Sequence, residues 1–237
     1  NDTTDGSRTT FSNGLAIIQA ARQAKSIMCA RAAKMWDLPE EAVEWVDGAV
    51  QPCGPNAGDF PAVSIAEIAG KAPQTGGPIA GHCEVNAEGA GVSFAAHIAD
   101  VEVDEDTGRT TVHRYTVVQD AGKAIHPAYV EGQYQGGAAQ GIGWALNEGY
   151  VYGDDGLMQN PGFLDYRIPV CSDLPMIDTE IIEIPNKGHP YGVRGVGETS
   201  IVPPLATIAN AIRSATGVRV NQVPMAPPVV LKALEES

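Results

Sequence analysis

Residues 127–146 read PAYVEGQYQGGAAQGIGWAL, and what this stretch becomes decides how its neighbours are organised. A proline at its head suits a first helical turn, and the segment predicts a helix from Pro127 to Leu146. Yet Gly132, Gly136, Gly137, Gly141 and Gly143 lie in or beside that pattern, and each interior glycine costs a helix about 1 kcal/mol relative to alanine. Two explanations compete for what offsets the cost. The glycines admit a closely packed helix, or they let backbone N–H groups approach an anionic ligand. Gln133 and Gln140 are seven residues apart and fall on nearly one face, where buried amides could hydrogen-bond a polar heterocycle. The glycines are not a nucleotide P-loop, because no Gly-Lys-Ser/Thr follows. Nor are they a Rossmann fingerprint, because no strand leads directly into them.

Toward the N-terminus, residues 92–103 and 109–119 are rich in valine, threonine, isoleucine and aromatics, and predict a long hairpin. The acidic turn between them, Asp104-Glu105-Asp106-Thr107-Gly108, is not read as a calcium loop: its twelfth position would be Tyr115, where a bidentate glutamate is needed. Farther upstream, residues 13–35 read as a helix with Ile17, Ala20, Ala21, Ala24, Ile27 and Met28 on its packed face and Ser12 or Asn13 as N-cap. Residues 43–50 predict two short strands around Asp47-Gly48. Residues 53–58 predict a loop, and residues 64–71 a short helix followed by loop through Gly81. Toward the C-terminus, strands are expected near Tyr150 and over residues 179–184. The last clear helix starts near Pro203-Pro204, with Leu205, Ile208, Ala209 and Ile212 as its buried stripe and Gly217 as its stop. Helices and strands mix without a βαβ rhythm, which argues an α+β fold with mostly antiparallel strands.

Composition narrows the function. The 237 residues carry Lys+Arg 15 against Asp+Glu 29, a formal charge of −14. That field repels nucleic acid and anionic membrane surfaces. No apolar run reaches the ~18 residues of a membrane span. Cys29, Cys53, Cys83 and Cys171 form no CxxC pair, and are expected as buried or half-buried thiols rather than disulfides or metal ligands. The five histidines show no HxxxH or HExxH spacing, and no GxSxG elbow supports a serine hydrolase. The opening NDTTDGSRTT has neither methionine nor a signal-peptide pattern, and reads as a processed or truncated start.

Two further segments break local rules. In GHPYGVRGVGETS (188–200), Gly195 and Gly197 flank Val196, and Glu198 follows just ahead of the last helix. A carboxylate there is either a cap favoured by the helix dipole or a positioned general base beside a closely approached backbone. At the N-terminus, DGSRTT precedes a helix, and either caps it or binds an anion.

Four blocks in order, GSRTTFSNGLA (6–16), DAGKAIHPAYVEGQYQGGAAQGIG (120–143), PYGVRGVGE (190–198) and IANAIRSATGVRVNQVP (208–224), resemble the C-terminal part of the molybdenum-binding large subunit of the xanthine dehydrogenase/aldehyde oxidase family. The resemblance covers nearly the whole chain. It implies that residues 1–237 are the C-terminal portion of a molybdopterin-binding domain, of one or two subdomains with no boundary assigned. It also implies a hydroxylase holding molybdenum on molybdopterin, in its plain or cytosine dinucleotide form, ligated through the cofactor and by no protein metal ligand. Glu198 then matches the catalytic glutamate, the base that takes a proton as water-derived oxygen is delivered to an electron-poor carbon. Val196 and Gly197 match the adjoining backbone that touches the cofactor, and Gln133 matches a glutamine that hydrogen-bonds the pterin. Ser7 and Thr9 align with hydroxyl residues near the phosphate or pterin. Arg8 and Gln140 are carried over on weaker matches. The resemblance turns the glycines of residues 132–143 toward close approach by the cofactor.

What the chain does not contain is equally specific. It shows no GGxFG loop, no substrate-clamping residues, no cysteine motifs for 2Fe–2S clusters and no flavin domain. The expected partners are therefore the remainder of the molybdenum subunit, an iron–sulfur subunit and a flavin (FAD) subunit, and the chain alone is expected to be inactive. The substrate is expected to be a small molecule (an N-heterocycle, purine or aldehyde) and the compartment the cytoplasm, with periplasmic export left open. Two alternatives stand beside this: a non-catalytic assembly subunit, and an unrelated phosphate or dinucleotide-binding module.

Overall fold

The computed structural model describes residues 3–86 and 91–237; Asn1 and Asp2, at the head of the polar N-terminal stretch, lie outside them. Two compact units emerge, Asn1–Phe11 with Glu88–Ser237, and Ser12–Ala87.

In the smaller unit, helix α1 (Gly14–Trp36) accompanies a three-stranded antiparallel sheet of β1 (Val43–Val46), β2 (Ala49–Pro52) and β3 (Val63–Ser64). The hairpin turns at Asp47-Gly48 as the sequence predicts. Helix α2 (Ile65–Gly70) begins with a reciprocal cap, in which the Glu67 N–H donates to the Ser64 hydroxyl and the Ser64 N–H donates to the Glu67 carboxylate. A four-residue helix, α3 (Ala72–Thr75), occupies part of the expected loop. The core holds Ala32, Ala33, Val43, Val50 and Ile68. The packed face of α1 is shorter than its periodicity predicts: Met28 packs on this core, but Ile17 is 68% exposed and Ala21 is exposed. The expected cap is absent as well. Asn13 is in helical conformation without a side-chain cap bond, because a wider helical turn over Thr9–Asn13 runs straight into α1.

The larger unit is built on β4 (Ala95–Val103), β5 (Thr110–Asp120) and β6 (Ile177–Ile182). β4 and β5 form the expected antiparallel hairpin, with a register shift at Asp100/Val101. At its turn the Asp104 carboxylate accepts from the Asp106 and Thr107 N–H groups, a local turn bond with no need of calcium. β6 pairs with β5 in parallel, from Tyr115↔Ile177 to Asp120↔Ile182. One crossover is thus present, and it runs through α4 (Pro127–Leu146), whose ends are those predicted. α5 (Pro204–Thr216) packs against β4 and α4. Gly217, left-handed at φ 80°, closes α5 by donating to the Arg213 carbonyl. A further helix, α6 (Pro227–Glu235), lies past the last one expected from the sequence and inserts Val230 into the core. That core gathers Tyr115, Tyr134, Ile142, Ile208, Ile212 and Met225 between sheet and helices. Near Tyr150 the expected strand reduces to one bridge, Tyr152↔Met158, because side-chain bonds organise this stretch. Cys29, Cys53 and Cys83 are half-buried free thiols, whereas Cys171 is exposed on a short helical turn and not covered as expected.

Candidate functional site

The end of β5 sets the geometry. Residues 115–118 are apolar or neutral, but the strand finishes Gln119-Asp120, and both polar side chains are buried. Buried polar groups must find partners, and these two find the segment 192–198. Asp120 Oδ1 accepts from the N–H groups of Gly122 and Ile184, and Oδ2 sits 3.0 Å from Arg194 Nε. Arg194 also donates to the carbonyls of Ile184 and Val92. Gly122 bridges Val193 here; its φ of +63° favours glycine, and a Cβ would lie 2.3 Å from the Gly192 carbonyl oxygen.

Val196 is clamped on both sides of its peptide. Gln119 Nε2 donates to its carbonyl at 2.9 Å, and its N–H donates to the Ser7 hydroxyl at 2.9 Å. Gly197 faces α4, where a Cβ would fall 2.7 Å from Gln133 Oε1. The buried Ser200 hydroxyl lies 3.2 Å from the carbonyl oxygens of both Gly197 and Gln133, tying the segment to the helix.

Glu198 is exposed, and it makes no side-chain cap on the turn Thr199–Ile201 that follows. Its Oε2 instead accepts the Gly6 N–H at 2.9 Å. Gly6 and Ser7 both have positive φ, 50° and 60°, which turns this short N-terminal segment toward the loop. Ser7, Gln133, Val196, Gly197 and Glu198 are thereby brought together. Arg8 and Thr9 are not on the cavity wall. Arg8 pairs with Asp5 and donates to the Thr3 carbonyl, and the Thr9 N–H donates to the Thr4 hydroxyl, so both fold the N-terminal turn that presents Ser7.

Gln133, Gly197 and Glu198 stand between two cavities. One, of about 520 Å³, is lined by Thr4, Ser7 and Thr10 from the N-terminal turn and by Lys123, His126 and Tyr129 at the start of α4. His126 caps α4, accepting the Tyr129 N–H, and its ring stacks on Tyr129 at 3.9 Å. Lys123 is held by Glu183, whose carboxyl is lowered by the Lys123 ammonium and the Ala124 N–H. The other cavity, of about 540 Å³, is lined by Gly136, Gln140, Trp144, Ile201 and Val202. Gln140 thus shares the helix face of Gln133 but opens on the second cavity only.

The α4 glycines divide into two kinds. A Cβ at Gly137 would lie 2.0 Å from the Ser200 hydroxyl, at Gly141 2.6 Å from Pro204, and at Gly143 2.2 Å from Glu148, so these three serve packing. At Gly132 and Gly136 it would meet nothing within 4 Å. The expectation that ligand approach explains the glycines of this segment therefore narrows to Gly132 and Gly136, because neighbouring side chains fill the space at the other three.

Sequence reasoning passed over Gln119, Asp120, Arg194 and Ser200, which position the loop. The signal was a buried-strand pattern, VVQD, ending in two polar residues. Among the described residues no group of three or more His, Cys, Asp or Glu side chains could hold a metal ion.

The family described as molybdopterin cofactor-binding domain matches residues 1–175. The xanthine dehydrogenase molybdenum-binding subunit of Escherichia coli is 34% identical over 171 residues, covering 70% of this chain and 23% of that protein. The aldehyde oxidoreductase of Megalodesulfovibrio gigas is 36% identical over 160 residues, 65% of this chain and 17% of that one. Among solved structures, quinoline 2-oxidoreductase from Pseudomonas putida superposes with a TM-score of 0.84 at 27% identity, over 98% of this chain and 31% of that chain. The chain belongs to the molybdopterin cofactor-binding family of xanthine dehydrogenase and aldehyde oxidase type oxidoreductases. The matched stretches span about a quarter or less of the length of these relatives, and the family match ends before Glu198.

The residues present suit that cofactor. Gly136 lines the second cavity with Gln133 and Gln140, and a Cβ there would meet nothing within 4 Å, so bare backbone and amide residues share one wall. Hydroxyls of Thr4 and Thr10 and the Lys123 ammonium line the adjoining cavity, donors apt for a phosphate and a pterin edge.

Proposed function

We propose that this chain forms one half of a molybdenum hydroxylase active site, with Glu198 as the general base. Molybdopterin, when bound, supplies the redox centre that accepts two electrons as water-derived oxygen reaches an electron-poor carbon of an N-heterocycle, purine or aldehyde. Gln133 would hydrogen-bond the pterin, and Ser7 would act by fixing the Val196 peptide against it. The observation that carries the reading is the Glu198 carboxylate: exposed, free of the capping role its position invites, and at the boundary of two cavities. One carboxylate oxygen is oriented by the Gly6 N–H, which leaves the other to take a proton.

The rest of the site would come from a partner: the remainder of the molybdenum subunit, with iron–sulfur and FAD subunits carrying electrons away. Family membership sets aside the unrelated phosphate or dinucleotide-binding module. The test is Glu198→Gln in the native complex. Molybdenum and pterin content should persist while turnover falls at least ~100-fold, the usual weight of a general base. Unchanged turnover would assign the chain to assembly instead.

A further inference from the structure

His189 is buried, at 6% exposure, and the proposed chemistry makes no use of it. A covered imidazole needs partners for its nitrogens, and here each has one. Nδ1 accepts the Tyr191 N–H at 3.2 Å, so the proton sits on Nε2, which donates to the Phe11 carbonyl at 3.0 Å. The ring also packs on Phe11, with centroids 4.7 Å apart. Its own backbone is fixed in a tight loop: the His189 N–H donates to the Asn186 carbonyl, and the Gly192 N–H donates to the His189 carbonyl.

What His189 holds is the N-terminal turn. The Phe11 N–H donates to the Ser7 carbonyl, and the Arg8 N–H to the Asp5 carbonyl, closing a turn with Gly6 and Ser7 at its centre. Ser7 has a φ of +60°, a conformation uncommon for a residue with a side chain and kept only where the surroundings impose it. The bonds then follow the two segments in antiparallel order: His189 to Phe11, Val196 to Ser7, Glu198 to Gly6. The Gly6 N–H is the group that orients the Glu198 carboxylate, so an anchor at one end of this series governs where the carboxylate points at the other.

We infer that His189 is a positioning residue for Glu198, acting through Phe11 and the Gly6–Ser7 turn. The inference rests on the proposed function, in which Glu198 is the base. It requires more than a stable fold. A base moved off its line of attack loses kcat, while substrate binding, made elsewhere, stays as it was.

The experiment compares His189→Phe, His189→Gln and His189→Asn with Glu198→Gln, each in the native complex. Phenylalanine keeps a ring against Phe11 and removes both hydrogen bonds. Glutamine puts an amide N–H near the place of Nε2 and restores the donor to Phe11. Asparagine puts an oxygen near the place of Nδ1 and restores only the acceptor for Tyr191. Turnover of quinoline, hypoxanthine and benzaldehyde is taken per bound molybdenum, and deuterium exchange of the peptide covering residues 5–11 is followed by mass spectrometry. His189→Phe and His189→Asn should lower kcat roughly 10–100-fold with KM held within about threefold. Exchange over residues 5–11 should quicken about tenfold in the same two variants, and His189→Gln should recover both readouts. Undiminished kcat in His189→Phe, unchanged exchange, or a glutamine variant no better than the asparagine one would overturn the inference. If Glu198→Gln loses turnover and His189→Phe does not, this inference falls alone. If Glu198→Gln keeps full turnover, the functional reading falls and takes this one with it.

Discussion

At Gly137 a methyl group would sit 2.0 Å from the Ser200 hydroxyl, whereas one residue earlier, at Gly136, it would meet nothing within 4 Å. The two positions therefore separate what packing needs from what a ligand needs. Gly137→Ala should destabilise by about 1–3 kcal/mol through overpacking, read as a lower Tm. Gly136→Ala should raise the Tm, since alanine favours the helix by up to about 1 kcal/mol. The same substitution should lower pterin content, because it puts a methyl on the face that carries Gln133. Equal pterin content would return Gly136 to packing. At this scale the sequence was partly readable. The glycines announced an unusual helix, but nothing in their spacing could say which of them meets a neighbour. Glu198 was likewise poised between cap and base in the sequence; in the structure its carboxylate accepts the Gly6 N–H and makes no side-chain cap on the turn that follows.

Elements are where the reading from sequence went furthest and also where it stopped. α4 has the ends its proline and apolar tail predict, and the β4–β5 hairpin forms around the expected turn. Both are local, set by residues near in the chain. β6 was located, but its parallel partnership with β5 depends on how α4 packs back over the sheet, which no local pattern encodes. α6 was missed because it is only nine residues long and opens on two prolines, so its apolar run is too short to show a helical period. The segment after β6 depends on one ion pair, Asp120–Arg194, with both side chains largely out of water. Arg194→Met should destabilise by about 3–5 kcal/mol, since it strands a buried carboxylate. The double change with Asp120→Asn should recover part of that, and chemical denaturation of the three variants would measure it.

For the molecule as a whole, pH offers a probe independent of the site. His97, on β4, bonds Tyr115 through Nδ1, and its Nε2 is buried with no hydrogen-bond partner. Burial lowers its pKa from 6.5 to about 4. The unfolded chain thus takes up a proton between those values that the folded chain refuses. Stability from this group is complete above pH 6.5 and is lost as pH falls toward 4, by at most about 3 kcal/mol. His97→Gln should flatten the dependence of Tm on pH across that window, and an unchanged slope would refute the assignment. A different consequence follows from the Val196 peptide, gripped by Ser7 from the beginning of the chain and by Gln119 from its middle. The Ser7 bond spans 189 positions, so the segment ahead of Glu198 acquires its shape only when distant parts of the chain have met. On a growing polypeptide this makes the pocket a late product of folding, and cofactor loading a step that waits for synthesis to pass residue 198.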